Sequence, residues 1–142
     1  MSHIMDIAAA VAKELNQGEF SKPFTAKRRV LPDFELKELA ELKVSVVPRA
    51  VEIEKETRDS QRYEVMIDIG IQQKISGSME TSVTELGTLV DEIADFLTNR
   101  TLEDTPWAAW SGIENDPVYI PEHLMQRRVF TSVLSVTYQM LK

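Results

Sequence analysis

Two histidines, a group of carboxylates and two tryptophans are the residues of this 142-residue chain whose types could support catalysis or ligand binding. His3 and His123 stand far apart in the sequence, and the chain contains no cysteine. Nucleophilic catalysis needs a hydroxyl or thiol with a base in reach, and zinc needs several imidazole or thiolate ligands. The sequence therefore predicts no enzyme, no metal site and no cofactor, and we interpret His123 as a surface or satisfied loop histidine.

The segment 103–116 holds the remaining candidates for a ligand site. Its carboxylates, Glu103, Asp104, Glu114 and Asp116, could bind a hard cation weakly, but their spacing is not that of an EF-hand loop. Trp107 and Trp110 could stack on a sugar or a base, although tryptophans three residues apart are more typical of a core anchor or an interface. A small sugar- or metal-binding enzyme stays a remote alternative, and it requires these side chains to converge in a deep pocket.

A second acidic group, formed by Asp91, Glu92 and Asp95, occurs in a segment with helical apolar spacing. The spacing puts these carboxylates opposite the apolar stripe, so we interpret them as a solvated helix face. The glycines match neither a dinucleotide-binding nor a phosphate-binding loop motif.

Charge argues against nucleic acid as a ligand. The chain has 23 acidic and 16 basic residues, a formal net charge of −7, whereas nucleic acid is usually held by clustered lysines and arginines. An acidic surface past which DNA slides remains compatible with this composition. No apolar run approaches the roughly 20 residues of a membrane helix, and the absence of cysteine fits a reducing compartment.

Hydrophobic periodicity predicts the elements that must position any site. The clearest pattern is the alternation from Tyr63 to Ile71, and the safest helix is the stripe from Leu86 to Leu97. The predicted elements are a helix over 4–15 that Asn16 and Gly18 end in a left-handed conformation, a strand over 24–30, a helical turn capped by Asp33, a strand over 44–47, a strand over 63–71, a helix opened by the capping-box string 82–85, a strand over 107–113 and a closing strand over 130–140.

Residues 49–60 are dense in charge and lack an apolar stripe. We interpret them as a long solvated hairpin connection or a protruding β-arm, mobile in an isolated subunit because little apolar surface offsets the entropy of ordering. The whole chain, 1–142, then forms a single α+β domain. Its sheet has four to five strands, mostly antiparallel or mixed, with two helices packed on one face.

Several stretches, taken in order, resemble the tail terminator (tail completion) proteins of long-tailed bacteriophages and prophages. They are IAAAVAKEL, FTAKRRVLP, LKELAELKVSVVP, YEVMIDIGI, ELGTLVDEIADFL and DPVYIPEHLMQRRVFTSVLSVTY. The resemblance covers nearly the whole chain, and no single motif in it is diagnostic.

This resemblance implies a non-enzymatic virion protein that assembles as a homo-oligomeric ring, typically a hexamer, in the bacterial host cytoplasm. The ring would cap the tail tube at its head-proximal end, stop tube polymerisation and present a surface to the head–tail connector. DNA would pass through without specific binding. The nearest alternative is another neck or head–tail joining protein of the same particle.

A ring needs a heterologous interface, in which two different surfaces of neighbouring subunits meet. The resemblance points to the charged segment 49–60, and the residue pattern adds the tryptophan segment and the half-polar face or edge of the closing strand. The residues expected to make self-association or partner contacts are Arg49, Glu52, Lys55, Arg58, Trp107, Trp110, Thr131, Ser135 and Thr137.

Overall fold

A five-stranded mixed sheet organises the chain in a computed structural model that describes residues 2–31 and 34–142. The strand order is β1-β2-β3-β5-β4, with β1 parallel to β2 and all other pairs antiparallel. In chain order the elements are α1 (His3–Gln17), β1 (Ala26–Arg28), a 3₁₀ turn (Leu36–Ala40), β2 (Lys43–Lys55), β3 (Gln61–Lys74), α2 (Met79–Leu97), β4 (Ala109–Asn115), α3 (Pro121–Arg127) and β5 (Val129–Leu141). The predicted α+β class is confirmed.

The core lies between one face of the sheet and the helices. Alternate residues of β3 and β5 pair across the strands, as Ile69 does with Leu134 and Ile67 with Val136, and all four are at most 1% exposed. Helix α1 contacts β1, β2 and β3, whereas α2 contacts β5. The helices contribute buried residues at steps of three and four, which include Ile7, Val11, Leu15, Leu86, Leu89, Val90, Ile93 and Leu97.

Two helix ends differ from the prediction. Helix α2 begins at Met79 with Ser78 as its N-cap, and the Ser82 hydroxyl donates to the carbonyl of Ser76 at 3.3 Å instead of opening the helix. The upstream serine prevails because Gly77, at φ +76°, supplies the turn that leads into it. Gly18 ends α1 at φ −83°, so it is not left-handed; a side chain there would lie within 3 Å of the Phe20 and Phe96 rings.

The segment 98–126 contains a helix that the sequence did not predict. Helix α3 has Pro121 in its first turn and Arg127 in its last, a pattern that favours a helix and could have indicated it. His123 therefore lies on a helix and not in a loop. Strand β4 covers 109–115 instead of 107–113, so Trp107 precedes the strand.

The strand predicted over 24–30 shortens to three residues, because β1 pairs with β2 only from Ala26 to Arg28. The predicted helical turn is present as the 3₁₀ turn, where the Glu38 carboxylate accepts from the Glu35 backbone N–H at 3.3 Å. Asp33, the predicted cap of this turn, lies outside the described residues.

Strand β2 continues through Pro48 to Lys55, beyond the end that the sequence predicted. The Arg29 N–H donates to the Val46 carbonyl, so the backbone of Val46 faces β1, and Pro48, two residues later, faces the same way. Its missing N–H therefore costs no hydrogen bond to β3, and a bulge between Pro48 and Ala50 restores the pairing. No helix in the described part of the chain is long and apolar enough to cross a membrane.

Candidate interaction surface

Strands β2, β3 and β5 pair side by side at one end of the sheet, a three-stranded region that we call the arm. It consists of residues 50–55 of β2, 61–66 of β3 and 137–141 of β5, joined by continuous antiparallel pairing. The structure places residues 49–55 in β2 and residues 56–60 in the connection to β3. The predicted mobility of this segment stays a prediction that amide hydrogen exchange would test.

The outer strand of the arm, β2, leaves apolar side chains exposed. Val65 is 1% exposed, whereas Val51 and Ile53, on the same face of the sheet, are 40% and 56% exposed. The side chains of these two residues therefore offer apolar surface to a neighbouring molecule.

The outer edge of the arm also carries backbone groups that pair with nothing in the described chain. Gln61 and Lys142 exchange both backbone hydrogen bonds, so odd-numbered residues of β3 bond to β5 and even-numbered ones to β2. Glu52 and Glu54 lie opposite even-numbered residues of β3, so their backbone groups bond to β3. The backbone groups of Val51 and Ile53, which alternate with them, therefore point outward. Strand β1 covers β2 only at residues 44–46. An exposed strand edge with apolar side chains is a template for pairing with another chain.

Charged residues cover the other face and the tip of the arm. The Arg62 guanidinium lies 2.6 Å from Glu54 and 3.3 Å from Glu56, and these carboxylates raise the pKa of Arg62 above its usual value. Glu52 stands opposite Glu64 on the neighbouring strand. Lys55 ends β2, and Arg58 lies in the connection to β3, both exposed. The predicted contact residues of the arm are thus accessible, and the apolar edge beside them was missed.

The two tryptophans occupy different environments. Trp107 is 45% exposed, and its ring packs edge-on against His3 at a centroid distance of 5.4 Å. Trp110 pairs with Tyr138 on the core face and packs against the buried cluster, with its indole nitrogen buried and unpartnered among the described residues. Trp107 therefore extends the accessible surface near the arm, whereas Trp110 anchors β4 to the core.

The hydroxyl face of β5 is engaged within the sheet. Thr131 is 7% exposed, and its hydroxyl contacts Gln72 and His123 at 3.3 and 2.8 Å. The Ser135 hydroxyl donates to Asp68 at 2.7 Å and accepts from Arg49 at 3.3 Å, which ties three strands together.

Thr137, opposite Met66, is half-buried. Strand β5 lies between β3 and β4, so the expectation that its edge is available for a partner is wrong. Both sides of β5 are paired, with β3 on one side and β4 on the other, and no pattern within β5 itself indicates this.

The segment 103–116 does not gather its candidate ligands into one site. Asp104 pairs with Lys13 at 2.9 Å, Trp110 points into the core, and Glu103, Glu114 and Asp116 are exposed. Among residues 2–31 and 34–142, no group of three or more carboxylate or histidine side chains is arranged to hold a metal ion. The convergence that a sugar- or metal-binding enzyme requires is thus missing from this segment.

Beneath the loop after α2 lies a buried ion pair. Glu14 on α1 is 3% exposed, and its carboxylate accepts from the Arg100 guanidinium at 2.8 Å. That guanidinium also lies 3.9 Å from the centroid of the Phe96 ring. Arg100 thereby connects α1, which carries Glu14, with α2, which carries Phe96.

Tyr138 leads to a prediction about alkaline pH. Its hydroxyl is buried without a hydrogen-bond partner among the described residues, and burial, followed by the nearby Glu14 charge, raises its pKa well above its usual value. The unfolded chain then ionises first, so stability should fall as the pH rises past about 10. We expect Tyr138→Phe to leave neutral-pH stability unchanged or raise it by up to about 1 kcal/mol, and to reduce the alkaline loss. Urea unfolding at neutral and alkaline pH measures both; a clear loss at neutral pH would contradict the prediction.

The chain matches no known protein family model, and no curated protein shows significant sequence similarity to it.

Proposed function

We propose that the protein is a non-enzymatic structural subunit that assembles with copies of itself into a ring, and that this ring is the tail terminator of a long-tailed bacteriophage or prophage. Self-association is supported by one observation on the arm: its unpaired strand edge coincides with the exposed side chains of Val51 and Ile53. The assignment to a phage particle, and to the position of the ring within that particle, is what the sequence resemblance implies.

In this proposal the ring, a hexamer by resemblance, is assembled in the host cytoplasm and sits at the head-proximal end of the tail tube. One face would contact the tube protein and the other the head–tail connector, while DNA passes through the hole. The net charge of −7 supports passage without binding, because an acidic lining repels phosphates.

Electron microscopy of particles that lack the protein tests this role. Loss of a terminator gives tails of abnormal length, because tube polymerisation is not stopped. The second candidate, a head–tail joining protein, predicts tails of normal length that remain unattached to heads. Normal, attached tails would contradict both roles.

Ile53→Asp tests the contribution of the arm to self-association. The side chain is 56% exposed, so we expect the subunit to fold, but a charge on the open edge should weaken self-association by about tenfold or more. Sedimentation over a range of concentrations, with and without tube protein, measures the effect. Val118→Asp is the matched control, because Val118 is 57% exposed and lies outside the arm. Equal assembly of both variants would exclude the arm from the interface.

A further inference from the structure

The sheet has a second open edge besides that of the arm. Strand β4 is the last strand in the order β1-β2-β3-β5-β4, and within the described chain no strand pairs with its outer side. None of its seven residues is fully buried. The two open edges, one on β2 and one on β4, therefore lie at opposite sides of the sheet.

Alternate residues of β4 turn their backbone groups outward. Even-numbered residues of β5 bond to β3, as Lys142 does to Gln61, so odd-numbered ones bond to β4. Gly112 and Glu114 lie opposite odd-numbered residues, whereas Trp110 and Ile113 lie opposite even-numbered ones. The backbone groups of Trp110 and Ile113 therefore face away from β5, and they bond to no residue of 2–31 or 34–142.

The outward-facing residues of both edges carry apolar side chains on one face of the sheet. Trp110 and Ile113 lie on the core face, and Val51 and Ile53 of the arm lie on the same face. In an antiparallel pair, residues that lie directly opposite each other point to the same face. The two edges can therefore exchange backbone hydrogen bonds while their apolar side chains meet.

The directions of the strands suit a contact between two copies. Three antiparallel pairings separate β2 from β4, so β4 runs antiparallel to β2. A second copy, placed beside the first with its helices on the same side of the joined sheet, brings its β4 antiparallel to the arm. Such a contact joins two different surfaces, and repeated contacts of this kind close into a ring.

One register matches both apolar residues of the arm edge. When Val51 lies opposite Ile113 of the second copy, Ile53 comes beside Trp110, because β4 has a bulge between Trp110 and Gly112. Val51 and Ile53, 40% and 56% exposed in the isolated chain, are then both covered.

The same register brings opposite charges together. Ala50 then lies opposite Glu114, and Arg49 at the β2 bulge comes next to that carboxylate. The Arg49 side chain is 55% exposed, and Glu114 is exposed and forms no ion pair within the described ranges. The register that sets Glu52 opposite Glu114 instead places like charges together, which is destabilising.

Pairing between two arms is less favourable. Glu52 and Glu54 flank Ile53, so each antiparallel register that sets Ile53 opposite Val51 or Ile53 of a second arm also sets two glutamates directly opposite each other. Strand β4, with the sequence AWSGIEN, has a single carboxylate. The charges therefore favour β4 over a second arm as the partner of the arm edge.

We infer that the open edge of the arm adds to β4 of a second copy as an antiparallel strand, with Val51 opposite Ile113. The sheets of neighbouring subunits are then continuous. This inference rests on the proposed ring and identifies the surface that the arm contacts within it.

Engineered cysteines test this pairing, because the chain has no cysteine of its own. In the inferred register Glu52 lies opposite Gly112 at a Cα–Cα distance of about 4.5 Å, which a disulfide spans. Within one subunit the two positions are three strand spacings apart, about 14 Å or more, which a disulfide cannot span. Glu52 is exposed, and a Cβ at Gly112 meets no atom within 4 Å, so we expect both variants to fold, which circular dichroism checks.

An oxidised mixture of Glu52→Cys and Gly112→Cys should form covalent dimers that contain one chain of each kind. Their yield should exceed by about tenfold or more that of a matched mixture of Glu52→Cys with Met125→Cys, because a disulfide forms only where the two Cα atoms approach closely. Met125 is 81% exposed on α3, outside both edges. The double variant Glu52→Cys/Gly112→Cys should give a covalent ladder that ends at the size of the ring.

The outcomes separate this inference from the proposed function. If wild type forms a ring and the Glu52→Cys and Gly112→Cys mixture cross-links no better than the control, the edge pairing is wrong and the ring stands. If Glu52→Cys alone cross-links as well as the mixture, two arms pair with each other and the inference is overturned. If wild type stays monomeric at all concentrations with and without tube protein, the ring and the edge pairing are both wrong.

Discussion

Replacing Arg100 by methionine is expected to lower the free energy of unfolding by about 3 kcal/mol, because it leaves the buried Glu14 carboxylate without its counter-ion. Methionine keeps an apolar side chain beside Phe96, so the loss reports mainly the missing charge. The Arg100 side chain is 36% exposed, which places the expected effect at the lower end for a broken buried pair. Urea or thermal unfolding of the purified variant measures it.

Two further variants identify the cause of that loss. Lys13→Met breaks the Lys13–Asp104 pair, whose side chains are 46% and 50% exposed, and should cost less than about 1 kcal/mol. The double variant Glu14→Leu/Arg100→Met removes both ions and should recover most of the stability lost in Arg100→Met. If the double variant is as unstable as the single one, the loss comes from packing and not from an unpaired charge.

Replacing Ile69 by alanine is expected to cost about 2–5 kcal/mol. Ile69 is 0% exposed in the centre of β3 and pairs with Val46 on one side and Leu134 on the other. The substitution removes buried methylene and methyl groups and leaves a cavity that close-packed neighbours fill only partly.

Ile53→Ala is the matched control for Ile69→Ala, since it makes the same change on the same face of the sheet at a side chain that is 56% exposed. It should change monomer stability by less than about 1 kcal/mol. Chemical denaturation of both variants at a concentration where the protein is monomeric separates core packing from association. A comparable loss in both would show that the arm is packed in solution.

Residue pattern alone predicted the elements whose burial follows a simple period. The alternation from Tyr63 to Ile71 predicted β3, and the stripe from Leu86 to Leu97 predicted most of α2. Helix α3 was missed because, over seven residues, only Leu124 is buried and no periodic stripe forms. The start of α2 was misplaced because two serines offered a cap and only the backbone turn at Gly77 distinguishes them.

The candidate surfaces were predictable only as regions. Charge density marked 49–60 as exposed, and the structure adds that the segment pairs with β3 and presents Val51 and Ile53 at an open edge. The hydroxyls of Thr131 and Ser135 suggested a partner surface, yet side chains of neighbouring elements already bond to them. Such partners are distant in sequence, so no local pattern reveals them.

The sequence by itself determined the α+β class, the core faces of the long strands and the acidic character of the protein, because side-chain period and charge are local properties. Tertiary structure alone decided that β5 is central and that the outer strand of the arm leaves Val51 and Ile53 exposed at an open edge. These features depend on which segments pair, and the pairing follows from burial of the whole core at once.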